Sequence, residues 1–286
     1  MFTHDPQLPL GLAHPTARFI AEPGEADVAI SVRWSDAKVP TGGETLFTAG
    51  ALWHLNRFNE GYRFNIASST FGAQPYKVAS FNHDFTEGDV HLDSRFYGAS
   101  DSIYPLEYPL DELLIMNLLA RGRGAGVHGC GLIDSSGDGY LFIGQSGAGK
   151  STTARLWQSS DSVQILSDDR IVIRPGLGHL LMCGTPWHGE ADLASAAEAP
   201  LSRIFFLRHG SKNEIISLSK AEAVARLFAC SFPPFYSSEA LDFTLAFHEN
   251  IANTVPCDEL RFVPDASVVD FVREVARTSR PLERML

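Results

Sequence analysis

The sequence predicts a mixed α/β protein, and three observations support this fold class. The first hundred residues contain short apolar runs separated by turn residues, a pattern typical of β-strands. The rest of the chain alternates strand-like runs with segments of helical periodicity. Between a strand-like run and a helical segment lies GQSGAGKS, at residues 144–151, which fits the pattern G-x-x-x-x-G-K-[ST]. We therefore expect a β-rich module over residues 1–100 and an α/β domain over residues 101–286.

The first module is predicted to contain antiparallel strands. Apolar runs at residues 19–20, 28–34 and 76–81 alternate with turn formers such as Pro23-Gly24. We find no chemical motif in this part of the sequence. Three isolated histidines are interpreted as surface or packing residues rather than metal ligands: His54, His83 and His91.

The elements of the second part can be predicted in order. Residues 111–120 are apolar nearly all round, with acids in the first turn, and predict a buried helix. Residues 126–133 and 140–143 predict a hairpin, and residues 152–157 predict a helix after the GQSGAGKS segment. Further strands are predicted at residues 163–167, 170–174, 179–183 and 203–207.

The C-terminal third is predicted to be helical. Ser219 and Glu222 form a capping-box pattern, and Ser238 begins a second helix. Asp265 is expected to cap a last helix. The apolar positions of that helix recur at spacings of three, four and seven: Val268, Phe271, Val272 and Val275.

The composition indicates an ordinary globular protein, with 286 residues, 44% hydrophobic and 20% charged. The net charge of −11 weighs against nucleic acid or an anionic membrane as a partner. No apolar stretch approaches the roughly 18 residues that span a bilayer, and the first residues lack the pattern of a signal peptide. The four cysteines form no C-x-x-C pair, so neither a zinc site nor a disulfide framework is indicated. We therefore expect a cytoplasmic protein.

Residues 144–149, which we call the glycine loop, carry the strongest motif. In a loop of this pattern, glycines let backbone N–H groups turn inward around phosphate oxygens, and the N-terminus of the following helix reinforces them. Lys150 would reach the β- and γ-phosphates of ATP or GTP, and the hydroxyl of Ser151 would ligate Mg²⁺. The alternative is a glycine-rich turn without a ligand. The predicted nucleotide-binding residues are Gly144, Gln145, Ser146, Gly147, Ala148, Gly149, Lys150, Ser151 and Thr152.

Asp168 and Asp169 are the candidate carboxylates, because they follow the apolar run at residues 165–167. Open α/β sheets place their ligand-facing groups at the carboxyl ends of strands. Beside a di- or triphosphate, one acid can support the metal while the other takes the proton of an acceptor hydroxyl. The alternative is a polar turn between two strands.

Two further features are open to more than one interpretation. His128 lies on the strand predicted to pair with the one entering the glycine loop, so it could face the γ-phosphate or be a hydrogen-bonded core residue. Residues 184–190 follow a strand end and contain Trp187 and Glu190. They could shape an acceptor pocket, support the metal, or form a structural turn in which Trp187 fills a gap in the core.

Together these segments resemble the HPr kinase/phosphorylase family, whose nucleotide fold is similar to that of phosphoenolpyruvate carboxykinase. The resemblance implies a phosphoenolpyruvate carboxykinase-like mixed sheet for residues 101–286, preceded by the smaller β-rich module. It also implies that His128 lies near the transferred phosphate and that Asp169 accepts the proton, which leaves Asp168 to support Mg²⁺. The matching residues are Gly126-Val127-His128-Gly129, Asp134, residues 144–151, and Ser167-Asp168-Asp169.

The chain departs from this family at several positions. The family has a glutamate where this chain has Thr152, and a metal-binding glutamate on the strand where residues 181–183 carry no acid. We also find no counterpart of its later loop with a catalytic arginine. Residues 184–187 resemble a divergent branch, whose wider group includes kinases acting on a peptide serine or on free serine. The departures weigh against HPr as the acceptor and against a phosphorylase activity.

The sequence therefore predicts an ATP- or GTP-dependent, Mg²⁺-dependent kinase. Its acceptor would be a hydroxyl, of serine in a peptide, a protein or a small molecule, and the expected partners include a second copy of the chain. One alternative is an ATPase switch or transport component, although the chain lacks an L-S-G-G-Q-like segment and an apolar strand ending in Asp-Glu. The other is a nucleotide-binding regulator without kinase activity.

Overall fold

The fold is mixed α/β with two sheets, as predicted. The computed structural model describes residues 1–5, 7–12, 15–35, 39, 41–98 and 102–278. The chain divides into two compact units, Met1–Arg121 with Phe235–Ser237, and Gly122–Pro234 with Ser238–Leu286. The predicted module boundary at residues 100–101 falls outside the described residues.

Among its described residues, the first unit contains a seven-stranded sheet and one α-helix. Its elements are β1 (Phe2–Thr3), β2 (Ala29–Ser35), β3 (Glu44–Ala49), β4 (Trp53–Phe58), β5 (Gly61–Ser68), β6 (Gly72–Phe81), β7 (Glu87–Asp93) and α1 (Leu110–Leu118), with 3₁₀ turns at Thr16–Phe19 and Ser94–Phe96 and a π-helical turn at Leu119–Arg123. The strand order is β1-β2-β7-β6-β5-β4-β3.

Two details of this unit differ from the prediction. Strands β3 to β7 pair antiparallel in sequence order, but β2 pairs parallel with β7 and β1 pairs parallel with β2. The whole β3–β6 meander separates β2 from β7, so no tight turn imposes an antiparallel arrangement. Residues 19–20 are not a strand either, because Phe19 ends a 3₁₀ turn and Ile20 is exposed.

The core of the first unit lies between the sheet and α1. Leu110, Leu114 and Leu118 of α1 are buried in one cluster with sheet residues such as Phe64 and Leu92. The spacing of four between the α1 leucines places them on one helix face. The cluster thus explains why the sequence of this helix is so apolar.

The second unit contains eight strands and four helices among its described residues. They are β8 (Ala125–Ile133), β9 (Gly139–Ile143), α2 (Lys150–Gln158), β10 (Gln164–Ser167), β11 (Arg170–Pro175), β12 (Leu180–Cys183), β13 (Glu198–His209), β14 (Glu214–Ser217), α3 (Lys220–Ala229), α4 (Ser238–Thr254), β15 (Cys257–Phe262) and α5 (Ser267–Thr278). The sheet follows the order β10-β8-β11-β12-β13-β15-β14, and β9 pairs with both β8 and β13.

Strand β9 has a core on each of its faces. Leu141 and Ile143 belong to a cluster that includes residues of α3 and α4, whereas Tyr140 and Phe142 belong to one that includes residues of α2 and α5. A strand covered on both faces is apolar throughout, which is why residues 140–143 show no alternation. The predicted β8–β9 hairpin is confirmed by the antiparallel pairing of these strands.

The predicted helix caps of the second unit are confirmed. Ser219 and Glu222 make both hydrogen bonds of a capping box at the start of α3. The carboxylate of Asp265 accepts hydrogen bonds from the backbone N–H and the hydroxyl of Ser267, where α5 begins. In the described part of the chain, no helix is both long and apolar enough to cross a bilayer.

Candidate functional site

The glycine loop has the backbone conformation that its sequence pattern predicts. It connects β9 to α2, which begins at Lys150. Gly147 has φ +82° and Gly149 has φ +104°, a region that glycine occupies without steric cost. Gly149 is the N-cap of α2 and carries no side chain that could occupy the helix N-terminus. The loop and helix therefore have the features of an anion-binding N-terminus.

The loop is packed closely against β15 and β13. A Cβ atom on Gly149 would lie 2.8 Å from Cζ of Phe262. The ring of Phe262 stacks on His209, at 5.9 Å between centroids, and Nε2 of His209 lies 3.0 Å from the carbonyl oxygen of Gly147. These contacts hold the loop in place from outside its own segment.

Lys150 is folded back onto the glycine loop. Its Nζ donates to the carbonyl oxygens of Gly144, at 2.8 Å, and Gln145, at 3.1 Å. Burial lowers the pKa of Lys150, and the charge of Asp169 opposes that change. Lys150 as a whole is only 7% exposed, so its ammonium group is held against the glycine loop.

The carboxylate of Asp169 contacts two side chains, those of His128 and Arg170. Its Oδ1 lies 2.9 Å from Nε2 of His128, and Nη1 of Arg170 pairs with its Oδ2. Burial raises the pKa of Asp169, but the hydrogen bond from His128 and the charges of Arg170 and Lys150 outweigh it and lower the pKa below its usual value. The carboxylate is therefore ionised at neutral pH and fixed in orientation.

His128 is positioned by backbone pairing as well as by this hydrogen bond. Arg170 of β11 is the register partner of His128 in β8, which places Asp169 next to the imidazole. The backbone N–H of His128 donates to the carbonyl oxygen of Cys230, at 2.7 Å. The structure thus brings His128, Lys150 and Asp169 into one neighbourhood.

The carboxylate of Asp168 has different partners from that of Asp169. Its two carboxylate oxygens accept hydrogen bonds from the backbone N–H groups of Gly189, at 2.8 Å, and Ala191, at 2.9 Å. The residue is 1% exposed. Asp168 therefore anchors the 189–191 segment, and its predicted role as an Mg²⁺ ligand gains no support from this geometry.

The residues present fit a magnesium site only in part. Ser151 is half-buried in the first turn of α2, where a hydroxyl can accompany a bound phosphate. Both oxygens of Asp168 are already occupied by backbone N–H groups. No group of three or more His, Cys, Asp or Glu side chains in the described part of the chain could hold a metal ion.

Residues 184–190 contact the residues on either side of the acid pair. The hydroxyl of Ser167 donates to the carbonyl oxygen of Trp187, at 2.7 Å, and that of Thr185 donates to the carbonyl oxygen of Arg170, at 2.6 Å. Glu190 is exposed. Of the interpretations left open, these contacts favour the structural turn.

A cleft of about 450 Å³ opens beside the start of the glycine loop. Sites for small ligands commonly have volumes of roughly 300–1,000 Å³, so the cleft is large enough for a substrate. Residues from the glycine loop, the end of β13 and the end of α3 line it, among them Gly144, Gln145, Arg208, His209, Arg226 and Cys230.

Three arginines near the site were not among the residues predicted from the sequence. Arg170 directly follows Asp168-Asp169, and this position next to the acid pair could have identified it. Arg208 and Arg226 had no such signal, because only the pairing of β13 with β9 and the position of α3 bring them to the cleft.

Asp134, which contributed to the family resemblance, pairs with Arg273 of α5 at 2.7 Å.

Comparison with known proteins gives little further information. No family model matches the sequence, and no curated protein is significantly similar to it. A solved structure of the Hpr(Ser) kinase/phosphatase from Coxiella burnetii aligns over 54% of this chain and 93% of its own, with a TM-score of 0.30 and 12% sequence identity.

Proposed function

We propose that the second unit is a phosphotransferase that moves the γ-phosphoryl group of ATP or GTP to a hydroxyl group, in the presence of Mg²⁺. The observation that carries this proposal is the pairing of β8 with β9: Gly129, next to the hydrogen-bonded His128–Asp169 pair, is the register partner of Ile143, from which β9 runs into the glycine loop that holds Lys150. The family resemblance of the sequence supports the same reaction and a phosphoenolpyruvate carboxykinase-like fold for this unit.

The residues have distinct roles in the proposed reaction. The glycine loop and Lys150 bind the phosphates, and Asp169 accepts the proton as the acceptor oxygen bonds to the γ-phosphorus and the bond to the β-phosphate oxygen breaks. His128 and Arg170 hold the carboxylate of Asp169. Because its pKa is lowered, Asp169 is a carboxylate at neutral pH and is able to accept the proton of the acceptor hydroxyl.

Magnesium would neutralise charge on the nucleotide phosphates. Among the side chains of the site, the hydroxyl of Ser151 is the one we propose as its ligand. The acceptor class remains that predicted from the sequence, a serine or similar hydroxyl in a peptide, a protein or a small molecule.

The test is transfer of label from γ-labelled ATP or GTP, with nucleotide binding measured by calorimetry. Lys150→Ala should abolish transfer and weaken nucleotide binding, while Lys220→Ala, at an exposed lysine of α3, should change neither. Equal nucleotide affinity of the wild type and Lys150→Ala would overturn the assignment. Binding without transfer to serine, serine peptides or proteins would favour the regulator alternative.

A further inference from the structure

Two arginines line the same cleft as the start of the glycine loop. Arg208 lies near the end of β13, which runs parallel to β9, and Arg226 lies on α3. Both contribute to the wall of the 450 Å³ cleft. Because the chain as a whole carries a net charge of −11, a concentration of cations at one cleft requires an explanation.

A buried carboxylate organises these arginines. Glu259 of β15 accepts a hydrogen bond from Nη1 of Arg226, at 2.8 Å, and from Nε of Arg261, at 2.8 Å, and Nη1 of Arg208 lies 3.8 Å away. Burial raises the pKa of Glu259, but the hydrogen bonds from Arg226 and Arg261 outweigh it and lower the pKa. One ionised carboxylate therefore faces three guanidinium groups.

The charge of this cluster is only partly balanced. Arg261 also pairs with Glu214, at 3.3 Å, but Lys212 pairs with the same carboxylate, at 2.9 Å. Arg208 is 64% exposed, and its distance to Glu259 exceeds hydrogen-bond length. Glu222 of α3 also lies close enough to Arg226 for their charges to interact. Four cationic groups therefore face three carboxylates, and the cluster keeps one excess positive charge, with the Arg208 guanidinium group able to turn into the cleft.

We propose that Arg208 and Arg226 bind an anionic group of the phosphoryl acceptor, a carboxylate or a phosphate that the molecule carries beside its hydroxyl. This inference rests on the proposed function. The planar guanidinium group matches the oxygens of either anion. The cleft is lined by Gly144 and Gln145, whose carbonyl oxygens receive the Lys150 ammonium, and by Cys230, whose carbonyl oxygen accepts the backbone N–H of His128. A molecule bound by the arginines in this cleft would thus lie between the glycine loop and the His128–Asp169 pair.

The experiment uses the full chain saturated with Mg²⁺ and β,γ-imido-ATP, which fills the γ-phosphate position. Inorganic phosphate and acetate are titrated into this complex by calorimetry. We expect one of the two anions to bind, and the one that binds identifies a phosphorylated or a carboxylated acceptor. Arg208→Gln and Arg226→Gln should each weaken that binding at least about 10-fold, the worth of a charge-assisted hydrogen bond. Arg155→Gln, at an exposed arginine of α2, should leave it unchanged.

Thermal melting of each variant checks folding, and Arg208→Gln keeps the test valid if Arg226→Gln destabilises the buried Glu259. Nucleotide binding without binding of either anion, or anion binding that both arginine variants retain, would overturn the inference. Phosphate binding in the presence of ADP that is lost with β,γ-imido-ATP would also overturn it, because the arginines would then serve the terminal phosphate. Failure of the nucleotide to bind would instead contradict the proposed function, and anion binding to the free chain would remain the readout for the arginines.

Discussion

The imidazole of His128 and the carboxylate of Asp169 are joined by a hydrogen bond of 2.9 Å between Nε2 and Oδ1. The pairing of β8 with β11 sets up this contact, because Arg170 is the register partner of His128. The hydrogen bond keeps a proton on Nε2, helps to lower the pKa of Asp169 and fixes the direction of the carboxylate. The proposed proton acceptor, Asp169, is thus positioned by His128 on the adjacent strand.

The first prediction concerns the pH dependence of the reaction. Activity should fall as the pH drops through the pKa of Asp169, because only the carboxylate accepts a proton. In His128→Phe the hydrogen bond to the carboxylate is lost, the pKa of Asp169 rises, and the acid limb of the rate profile should move to higher pH. The measurement is kcat against pH for both proteins. An unmoved acid limb would mean that Asp169 is not the titrating group.

The second prediction separates the two acids. Asp168→Asn replaces an anion that accepts two backbone hydrogen bonds with an amide that has one acceptor. We expect a loss of about 1–3 kcal/mol in the free energy of unfolding, measured by urea denaturation. The Mg²⁺ concentration for half-maximal rate should stay unchanged. Normal stability with a raised Mg²⁺ requirement would restore Asp168 as a metal ligand.

Asp169→Asn should instead lower turnover. The substitution removes the proton acceptor and keeps the size of the side chain, so turnover should fall roughly 10²–10⁴-fold with nucleotide affinity retained. A mild loss of turnover would show that positioning by other groups dominates and that the proton-acceptor role should be dropped.

The third prediction concerns the fit of the glycine loop. Alanine at Gly149 would meet both a positive φ and the ring of Phe262, at 2.8 Å. Gly178 has a similar φ of +79°, but no described atom would lie within 4 Å of its Cβ. Gly178→Ala should cost about 1–2 kcal/mol for the backbone alone, and Gly149→Ala should cost more and also weaken nucleotide binding. Equal melting temperatures of the two variants would show that the Phe262 ring does not restrict this position.

The fourth prediction concerns acid stability. His248 of α4 is fully buried, and neither ring nitrogen has a hydrogen-bond partner among the described residues. Burial lowers its pKa to about 4, so its contribution to stability is complete above the unfolded value of 6.5 and is lost as the pH falls toward 4. The loss should reach roughly 3 kcal/mol.

His248→Leu should flatten the fall in the free energy of unfolding between these pH values. The control His179→Leu, at an exposed histidine, should retain it. At pH 7 the His248→Leu variant should be as stable as the wild type or more so, because apolar atoms replace two unpaired nitrogens. An unchanged pH slope would show that His248 is not the group responsible.

The sequence by itself determined the local elements around the site. The strand at residues 140–143, the glycine loop and the helix after it follow from near-neighbour rules, namely an apolar run, glycines at positions of positive φ and a helix start. The capping box at Ser219 is likewise local, since its two partners are three residues apart. These features need no information from distant parts of the chain.

The tertiary structure decided which groups the carboxylates of Asp168 and Asp169 contact. The two acids are adjacent and chemically identical, and their difference comes from partners on other elements: His128 for one, and the N–H groups of Gly189 and Ala191 for the other. The same holds for Arg208 and Arg226, which meet only because β13, β15 and α3 converge on Glu259. Side-chain direction depends on register and packing between distant segments, and a single sequence specifies these only through the complete fold.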